Sequence, residues 1–234
     1  MKNRPTVLIT GATKGIGRAL VDRFAPAASD LHVVARNVQD LRMLKEELSA
    51  LDCTVHVHPC DLSDPSAVKQ LIVDLQKEIS HLDVLINNAG VYLPGLLLTE
   101  SADNLNYMMQ LNVLSQYDLV RGLHALMPRG AHLIHMASVA SRKRFDGKPS
   151  YSITKHAQGI MIDAFRHELR PLGIRVTSVM PGPTWSHSWE GVEFPENRLL
   201  AAEHVANAVW HAWELPPEAV MEELVIRPFD GDIE

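Results

Sequence analysis

Thiol groups and long apolar runs are both scarce in this chain. Cys53 and Cys60 are the only cysteines among 234 residues, too few for a disulfide framework and typical of a reducing compartment. No segment approaches 18 consecutive apolar residues, so the sequence predicts no membrane span. The first apolar run starts within about five residues of Met1, which leaves no room for a secretory leader. These features predict a cytoplasmic protein.

The chain also lacks an excess of positive charge. It has 22 Lys and Arg against 28 Asp and Glu, a net charge of -6, so no broad basic field favours nucleic acid or an anionic membrane. We therefore expect neither partner. Hydrophobic residues make up 46% of the chain. That content is enough for one large core, and we expect residues 1–234 to form a single domain.

Short apolar runs rich in Val, Ile and Leu recur along the chain and predict seven strands. They lie at residues 6–10, 31–35, 54–58, 83–87, 131–136, 174–180 and 223–227. Between them, stretches such as Val38 to Leu51 and Ala67 to Ile79 place apolar residues three and four apart, as helices do. Alternation of this kind predicts an α/β fold, a parallel sheet with helices on both faces.

Three residues form a candidate proton-transfer group. Tyr151 and Lys155 are spaced i and i+4, so they share one helix face, and Ser138 precedes the tyrosine by thirteen residues. A positive charge about 4 Å from the phenol, at an effective dielectric of about 20, is worth roughly 4 kcal/mol or about three pKa units. The spacing therefore predicts a phenol whose pKa is lowered far enough to act near neutral pH.

A glycine-rich loop follows the first predicted strand. Gly11, Gly15 and Gly17 stand between the apolar run at residues 6–10 and a helical pattern. Glycines let the backbone approach a pyrophosphate, and the free N–H groups at a helix N-terminus favour its charge. The sequence thus predicts a phosphate-binding loop.

The glycine spacing and the Tyr-x-x-x-Lys pair together resemble the short-chain dehydrogenase/reductase family. Further matches in the same order are Asp61 after the third strand, Asn87 to Gly90 after the fourth, Asn112 in the next helix and Pro181 to Thr184 after the sixth. The resemblance runs from about residue 5 to residue 184. It implies a Rossmann-type doubly wound sheet of strand order 3-2-1-4-5-6-7 and an oxidoreductase acting on a carbonyl or secondary alcohol.

The resemblance also implies a role for each matching residue. Tyr151 becomes the general acid or base, Ser138 a hydrogen-bond donor to the substrate oxygen, and Lys155 a ligand of the nicotinamide ribose. Asn112 becomes the holder of a relay water, although the residue type alone favours an ordinary polar helix residue. Asp61 is expected near the adenine amino group or, alternatively, as a helix cap. The implied dinucleotide contacts are Gly11, Thr13, Lys14, Gly15, Ile16, Gly17, Arg36, Asp61, Leu62, Asn88, Ala89, Gly90, Tyr151, Lys155, Pro181, Gly182 and Thr184.

Charge at the end of the second predicted strand decides the expected cofactor. NAD-binding folds carry a carboxylate at this position, which accepts a hydrogen bond from the 2′-hydroxyl of the adenosine ribose. This chain has Arg36 there instead, and Lys14 lies inside the glycine loop. Both cations suit a 2′-phosphate. We therefore expect NADP(H).

Two irregular stretches, Ser141 to Ser150 and Pro183 to Pro195, are the candidate substrate walls, and residues 183–203 a candidate lid. Within it, Trp185, His187 and Trp189 are expected to contact substrate, although packing of the loop explains the tryptophans equally well. His56, His58 and Cys60 alternate on one strand, but zinc sites usually draw ligands from more than one element, so no metal is expected.

Two further expectations concern function and assembly. An alternative to the enzyme is a regulator that binds NADP(H) without turnover and senses redox state, although such proteins typically lack the Tyr or the Lys. Residues Leu111 to Leu126 and Ile160 to Leu169 hold more apolar positions than one sheet-facing stripe needs. We therefore expect a homodimer or homotetramer.

Overall fold

A computed structural model describes residues 4–185 and 198–232. The strands are β1 (Thr6–Thr10), β2 (Asp30–Ala35), β3 (Thr54–Pro59), β4 (Val84–Asn87), β5 (His132–Met136), β6 (Arg175–Pro181) and β7 (Glu223–Ile226). The α-helices are α1 (Gly15–Phe24), α2 (Val38–Glu47), α3 (Pro65–Glu78), α4 (Ala102–Met109), α5 (Ser115–Leu123), α6 (Pro149–Leu169) and α7 (Ala202–Glu214). A π-helical segment, Gln110–Leu114, joins α4 to α5, and 3₁₀ turns span His124–Leu126, Val139–Ser141 and Arg170–Leu172.

All seven strands pair in parallel, in the order β3-β2-β1-β4-β5-β6-β7. The expected Rossmann-type fold class is confirmed. Each predicted strand matches an observed one to within one or two residues at either end. Helix ends differ more. The helix predicted from Val38 to Leu51 ends at Glu47, and α3 begins two residues before its predicted start because Asp64 accepts from Ser66 N at 2.8 Å ahead of Pro65.

Successive strand residues point to opposite faces of the sheet, and helices cover both faces. Val7 and Ile9 belong to the core beneath α1 and α7, whereas Leu8 belongs to the core beneath α3, α5 and α6. Phe24 of α1 packs edge-on against Trp210 of α7 at 5.1 Å between ring centroids. Burial on both faces explains the continuous apolar runs in the sequence. Within residues 4–185 and 198–232, no helix is both long and apolar enough to cross a bilayer.

Several apolar side chains on α6 and around α5 remain exposed. Ile160 is 77% exposed in the middle of α6, and Leu114 and Tyr117 are 45% and 37% exposed. A helix that already buries one stripe against the sheet leaves these positions to water or to a partner. The homo-oligomer therefore stays a prediction, with this surface as its location.

We predict that Ile160→Glu with Leu114→Glu will dissociate the oligomer, because a second copy would have to bury both carboxylates. Light scattering after gel filtration measures the mass. Met43→Glu on α2, exposed to 45% on the other side of the sheet, is the control and should keep the wild-type mass. A wild-type particle of 26.0 kDa at micromolar concentration would contradict the prediction.

Candidate active site

Two connected cavities open at the carboxyl ends of the strands. One, of about 480 Å³, lies against the loop between β1 and α1, and we call it the glycine-loop cleft. The other, of about 310 Å³, contains Ser138, Tyr151 and Lys155 in its lining, and we call it the tyrosine cavity. Residues lining both are Ile16, Asn88, Gly90, Val91 and Thr184. Shared walls mean that a long ligand can reach from one cavity into the other.

The glycine loop has the backbone that a close ligand approach needs. Gly11 and Gly15 adopt φ of +65° and +53°, a region that side chains disfavour. A Cβ on Gly17 would stand 2.0 Å from the Gly11 carbonyl oxygen, so only glycine lets α1 begin so close to β1. The loop therefore presents the N-terminus of α1, with its free N–H groups, to the cleft.

Hydrogen bonds tie the glycine loop to the segment after β4. The buried hydroxyl of Thr10 accepts from the backbone N–H groups of Asn88 and Ala89, each at 3.0 Å. The Asn88 side-chain amide donates back to the carbonyls of Thr10 and Gly11, at 2.9 and 3.2 Å. The sequence motif indicated Asn88 but not Thr10, because a threonine at the end of a strand carries no distinctive signal.

Two cations line the far end of the glycine-loop cleft. Lys14 and Arg36 are both exposed, and Arg36 Nη1 donates to the Tyr107 hydroxyl at 3.3 Å. The Asp61 carboxylate accepts from the N–H and hydroxyl of Ser63, at 2.9 and 2.7 Å, while its neighbours Cys60 and Leu62 line the cleft. Burial opposes ionisation of Asp61, but these bonds and the charge of Arg36 hold its pKa below the ordinary value. The cap of α3 is Asp64, not Asp61.

The structure brings Ser138, Tyr151 and Lys155 together. Ser138 opens the 3₁₀ turn after β5, and its Oγ accepts from Ala140 N at 3.1 Å. Tyr151 and Lys155 stand one turn apart on α6, with the Lys155 Nζ 5.6 Å from the tyrosine ring centroid. The same Nζ donates to the Met136 carbonyl at 3.4 Å, and Lys155 is only 5% exposed.

The expected lowering of the phenol pKa is wrong for the chain by itself. Burial raises the pKa of Tyr151 above its ordinary value; hydrogen bonding with Ser138 opposes this rise, and nearby Tyr92 adds to it. Burial also lowers the pKa of Lys155 to about 7. The lysine therefore supplies only part of a positive charge near neutral pH, which is why the spacing argument overestimated its effect.

Asn112 lies at the centre of the π-helical segment. Its side-chain oxygen accepts from Val91 N at 2.8 Å, and its Nδ2 donates to Val91 O and to the Thr154 hydroxyl at 2.9 and 3.1 Å. Gln158 Nε2 donates to the backbone carbonyl of Asn112. These bonds join the segment after β4 to α6, and the local widening to π-helix is common at functional sites. The relay water stays a prediction.

Comparison with known proteins identifies the family. Residues 5–193 match the family model described as short chain dehydrogenase. The chain belongs to the short-chain dehydrogenase family of oxidoreductases. It is 32% identical to a sepiapterin reductase from Chlorobaculum tepidum, over 97% of this chain and 98% of that one. It is 30% identical to a farnesol dehydrogenase from Aedes aegypti, over 94% of each chain.

Solved structures of short-chain dehydrogenases have the same fold. One from Burkholderia cenocepacia, in complex with NADP, superposes with a TM-score of 0.88 at 22% identity, covering 97% of this chain and 98% of that one. An alcohol dehydrogenase from Thermococcus sibiricus, complexed with 5-hydroxy-NADP, gives 0.88 at 24% identity, covering 98% and 99%. The likeness therefore extends through the whole sheet.

In this short-chain dehydrogenase, three residues that the motifs did not mark form the wall of the tyrosine cavity. Tyr92 meets Tyr151 edge-on at 5.3 Å between ring centroids, and Phe145 and Lys148 complete that side. Phe145 and Lys148 belong to the irregular stretch Ser141 to Ser150, so the structure places that stretch at the site. Pro181, Gly182, Pro183 and Thr184 line the cavity from the end of β6.

The structure places Trp185, an expected substrate contact, at the glycine-loop cleft, and its contact with substrate stays a prediction. Trp185 lines the glycine-loop cleft with Arg36 and Tyr107, and it is 52% exposed. A bridge joins Thr184 to Leu200, and Trp185 N donates to Leu200 O at 2.8 Å, so the backbone here is held against the segment that leads into α7. His187 and Trp189 lie outside the described residues.

We predict that Gly17→Ala will lower the free energy of unfolding by about 1 to 3 kcal/mol, because its Cβ meets backbone that must move. Denaturant titration measures the loss. Gly159→Ala in α6, whose Cβ would find its nearest neighbour at 3.7 Å, is the control. It should be neutral or stabilise by up to about 1 kcal/mol. Equal stability of the two variants would contradict the close packing of the loop.

Proposed function

We propose that the protein is an NADP(H)-dependent oxidoreductase that interconverts a carbonyl and a secondary alcohol, with Tyr151 as general acid and base. One observation carries the proposal: Ser138, Tyr151 and Lys155 meet in a cavity that shares walls with the glycine-loop cleft. Proton transfer and dinucleotide binding therefore lie side by side. A regulator without turnover would not need that arrangement.

The residues of the glycine-loop cleft fit NADP(H). The loop offers the α1 N-terminus to a pyrophosphate, and at Gly90 an added Cβ would crowd Asn112 Oδ1 at 3.3 Å, so glycine keeps the backbone close to the site there. Lys14 and Arg36 offer two positive charges at the place where an adenosine 2′-phosphate would bind. Solved neighbours from Burkholderia cenocepacia and Thermococcus sibiricus are complexes with NADP or a derivative of it. When bound, the reduced nicotinamide supplies the hydride.

The chain's own groups handle the proton. The raised pKa of Tyr151 keeps its phenol protonated at neutral pH, which suits a general acid in carbonyl reduction. The phenol gives its proton to the substrate oxygen, and the Ser138 hydroxyl stabilises the charge that develops there. Lys155 stabilises the phenolate left behind, since its pKa of about 7 allows an ammonium at that moment. Oxidation of the alcohol reverses each step.

The walls of the tyrosine cavity indicate a carbonyl compound with an apolar or planar part. The rings of Tyr92 and Phe145 form one side, and the Lys148 ammonium lies 5.6 and 5.9 Å from their centroids. Aromatic rings of this kind contact flat or apolar groups well. Two relatives are named for their action on sepiapterin and on farnesol. These two compounds and simple aldehydes and ketones are therefore the first substrates to test.

We predict that Tyr151→Phe will reduce turnover by about two to four decades while the affinity for NADPH stays close to wild type, because only the proton donor is removed. Absorbance of reduced nicotinamide measures turnover, and quenching of intrinsic fluorescence measures binding. Tyr117→Phe, on the exposed side of α5, is the control and should remain fully active. Retention of more than about a tenth of wild-type turnover by Tyr151→Phe would exclude the role.

We predict that wild-type kcat/KM will be higher with NADPH than with NADH, and that Lys14→Ala with Arg36→Ala will abolish the preference. Each charge-assisted bond is worth at most about 1.5 to 3 kcal/mol, so NADPH should lose affinity and NADH should not. Arg42→Ala, exposed on α2, is the control. A wild-type enzyme with equal or better kcat/KM for NADH would refute the assignment.

A further inference from the structure

A second group of polar side chains lies on the α3 face of the sheet, away from both cavities. His32 of β2 and His58 of β3 are buried, at 3% and 8% exposure, and Glu78 is the last residue of α3. The three come from separate elements that the fold packs together. The resulting His32–His58–Glu78 cluster has no part in the proposed reaction, because Tyr151 lies on α6, on the far side of β1 and β4.

The donor atoms of this cluster face one another. His32 Nδ1 and His58 Nε2 are 3.0 Å apart, His58 Nε2 and Glu78 Oε2 are 3.9 Å apart, and all three donors lie within 4.8 Å of each other. Tetrahedral zinc with bonds of about 2.0 to 2.1 Å separates its ligand atoms by roughly 3.3 Å. The donor–donor distances of 3.0 and 3.9 Å lie on either side of that value, so small side-chain movements suffice to bind an ion.

The chemistry and charge of the cluster also suit a cation. Glu78 supplies one negative charge, and the Asp74 carboxylate on the same helix adds to the negative field at His58. Two imidazole nitrogens and a carboxylate oxygen form a donor set that divalent transition metals bind well.

Neighbouring side chains support the cluster without joining it. The His56 ring stacks on His32 at 4.4 Å and 8° between planes, while its Nε2 pairs with Asp30 at 3.1 Å. Cys60, which alternates with His56 and His58 in the sequence, is not in the donor group. The donor group therefore shares only His58 with the alternating set His56, His58 and Cys60, since its other two members come from β2 and α3.

We propose that His32, His58 and Glu78 bind zinc or a similar divalent transition metal, with water as the fourth ligand. The ion would join the edge strand β3 and its neighbour β2 to the C-terminal end of α3. Three protein ligands and a water make an open coordination set. Because the cluster lies at a distance from Ser138, Tyr151 and Lys155, the expected effect of the ion is to hold the three elements together.

Zinc binding to untagged protein, stripped with a chelator, tests the proposal independently of turnover. Calorimetry should find one Zn²⁺ per chain, and Co²⁺ should give the visible absorption of a tetrahedral site. Glu78→Gln should weaken Zn²⁺ binding at least about tenfold. Because the Glu78 side chain is 48% exposed, this variant should fold, which circular dichroism checks. His58→Gln should act in the same direction.

His56→Gln is the matched control, since it changes a histidine on the same strand face outside the donor set. It should bind Zn²⁺ like the wild type. Zn²⁺ should also raise the melting temperature of the wild type and of His56→Gln, but not of Glu78→Gln. Absence of stoichiometric binding, binding unchanged in Glu78→Gln, or equal loss in His56→Gln would each overturn the proposal.

Discussion

The reversal of strand order at β1 is the constraint on which the functional edge of the sheet depends. β1 pairs with β2 on one side and β4 on the other, and the following helices leave to opposite faces, so a crevice opens between the loops after β1 and β4. Thr10 and Asn88 hold these loops at a fixed separation through four hydrogen bonds. Because Asn88 lines both cavities, the same bonds set the geometry of the cleft and of the proton-transfer site.

Burial sets the electrostatics of the proton-transfer site. Desolvation raises the pKa of Tyr151 and lowers that of Lys155, so it favours the uncharged form of both groups. A protonated phenol therefore lies beside a lysine that carries only part of its positive charge near neutral pH. In the proposed mechanism a phenolate forms when the substrate oxygen takes the proton, and in a low-dielectric site it would attract the ammonium strongly. The spacing in the sequence fixes which groups meet, whereas their burial fixes their charge.

Most of the fold was predictable because its signals are local. Each strand is an apolar run buried on both faces, and each cofactor motif follows the carboxyl end of a strand. The cavity walls were less predictable. Tyr92 and Phe145 are 53 positions apart in the sequence and meet Tyr151 only through tertiary packing. Trp185 lines the glycine-loop cleft and follows a bridge between Thr184 and Leu200, a contact that no local pattern encodes.

The histidines also show that a sequence pattern does not reveal contacts between separate elements. Alternation within β3 correctly placed His56 and His58 on one face, but ligand sets depend on which elements pack against that face. Strand register puts His32 beside His56, and α3 brings Glu78 from twenty residues beyond His58. The expectation of no metal considered the residues of one strand, whereas the proposed cluster draws its three donors from three elements. In a parallel sheet, residues of adjacent strands are neighbours wherever their registers align. Side chains that are far apart in the sequence can therefore form a ligand set in the middle of the sheet, away from the loops at its carboxyl edge.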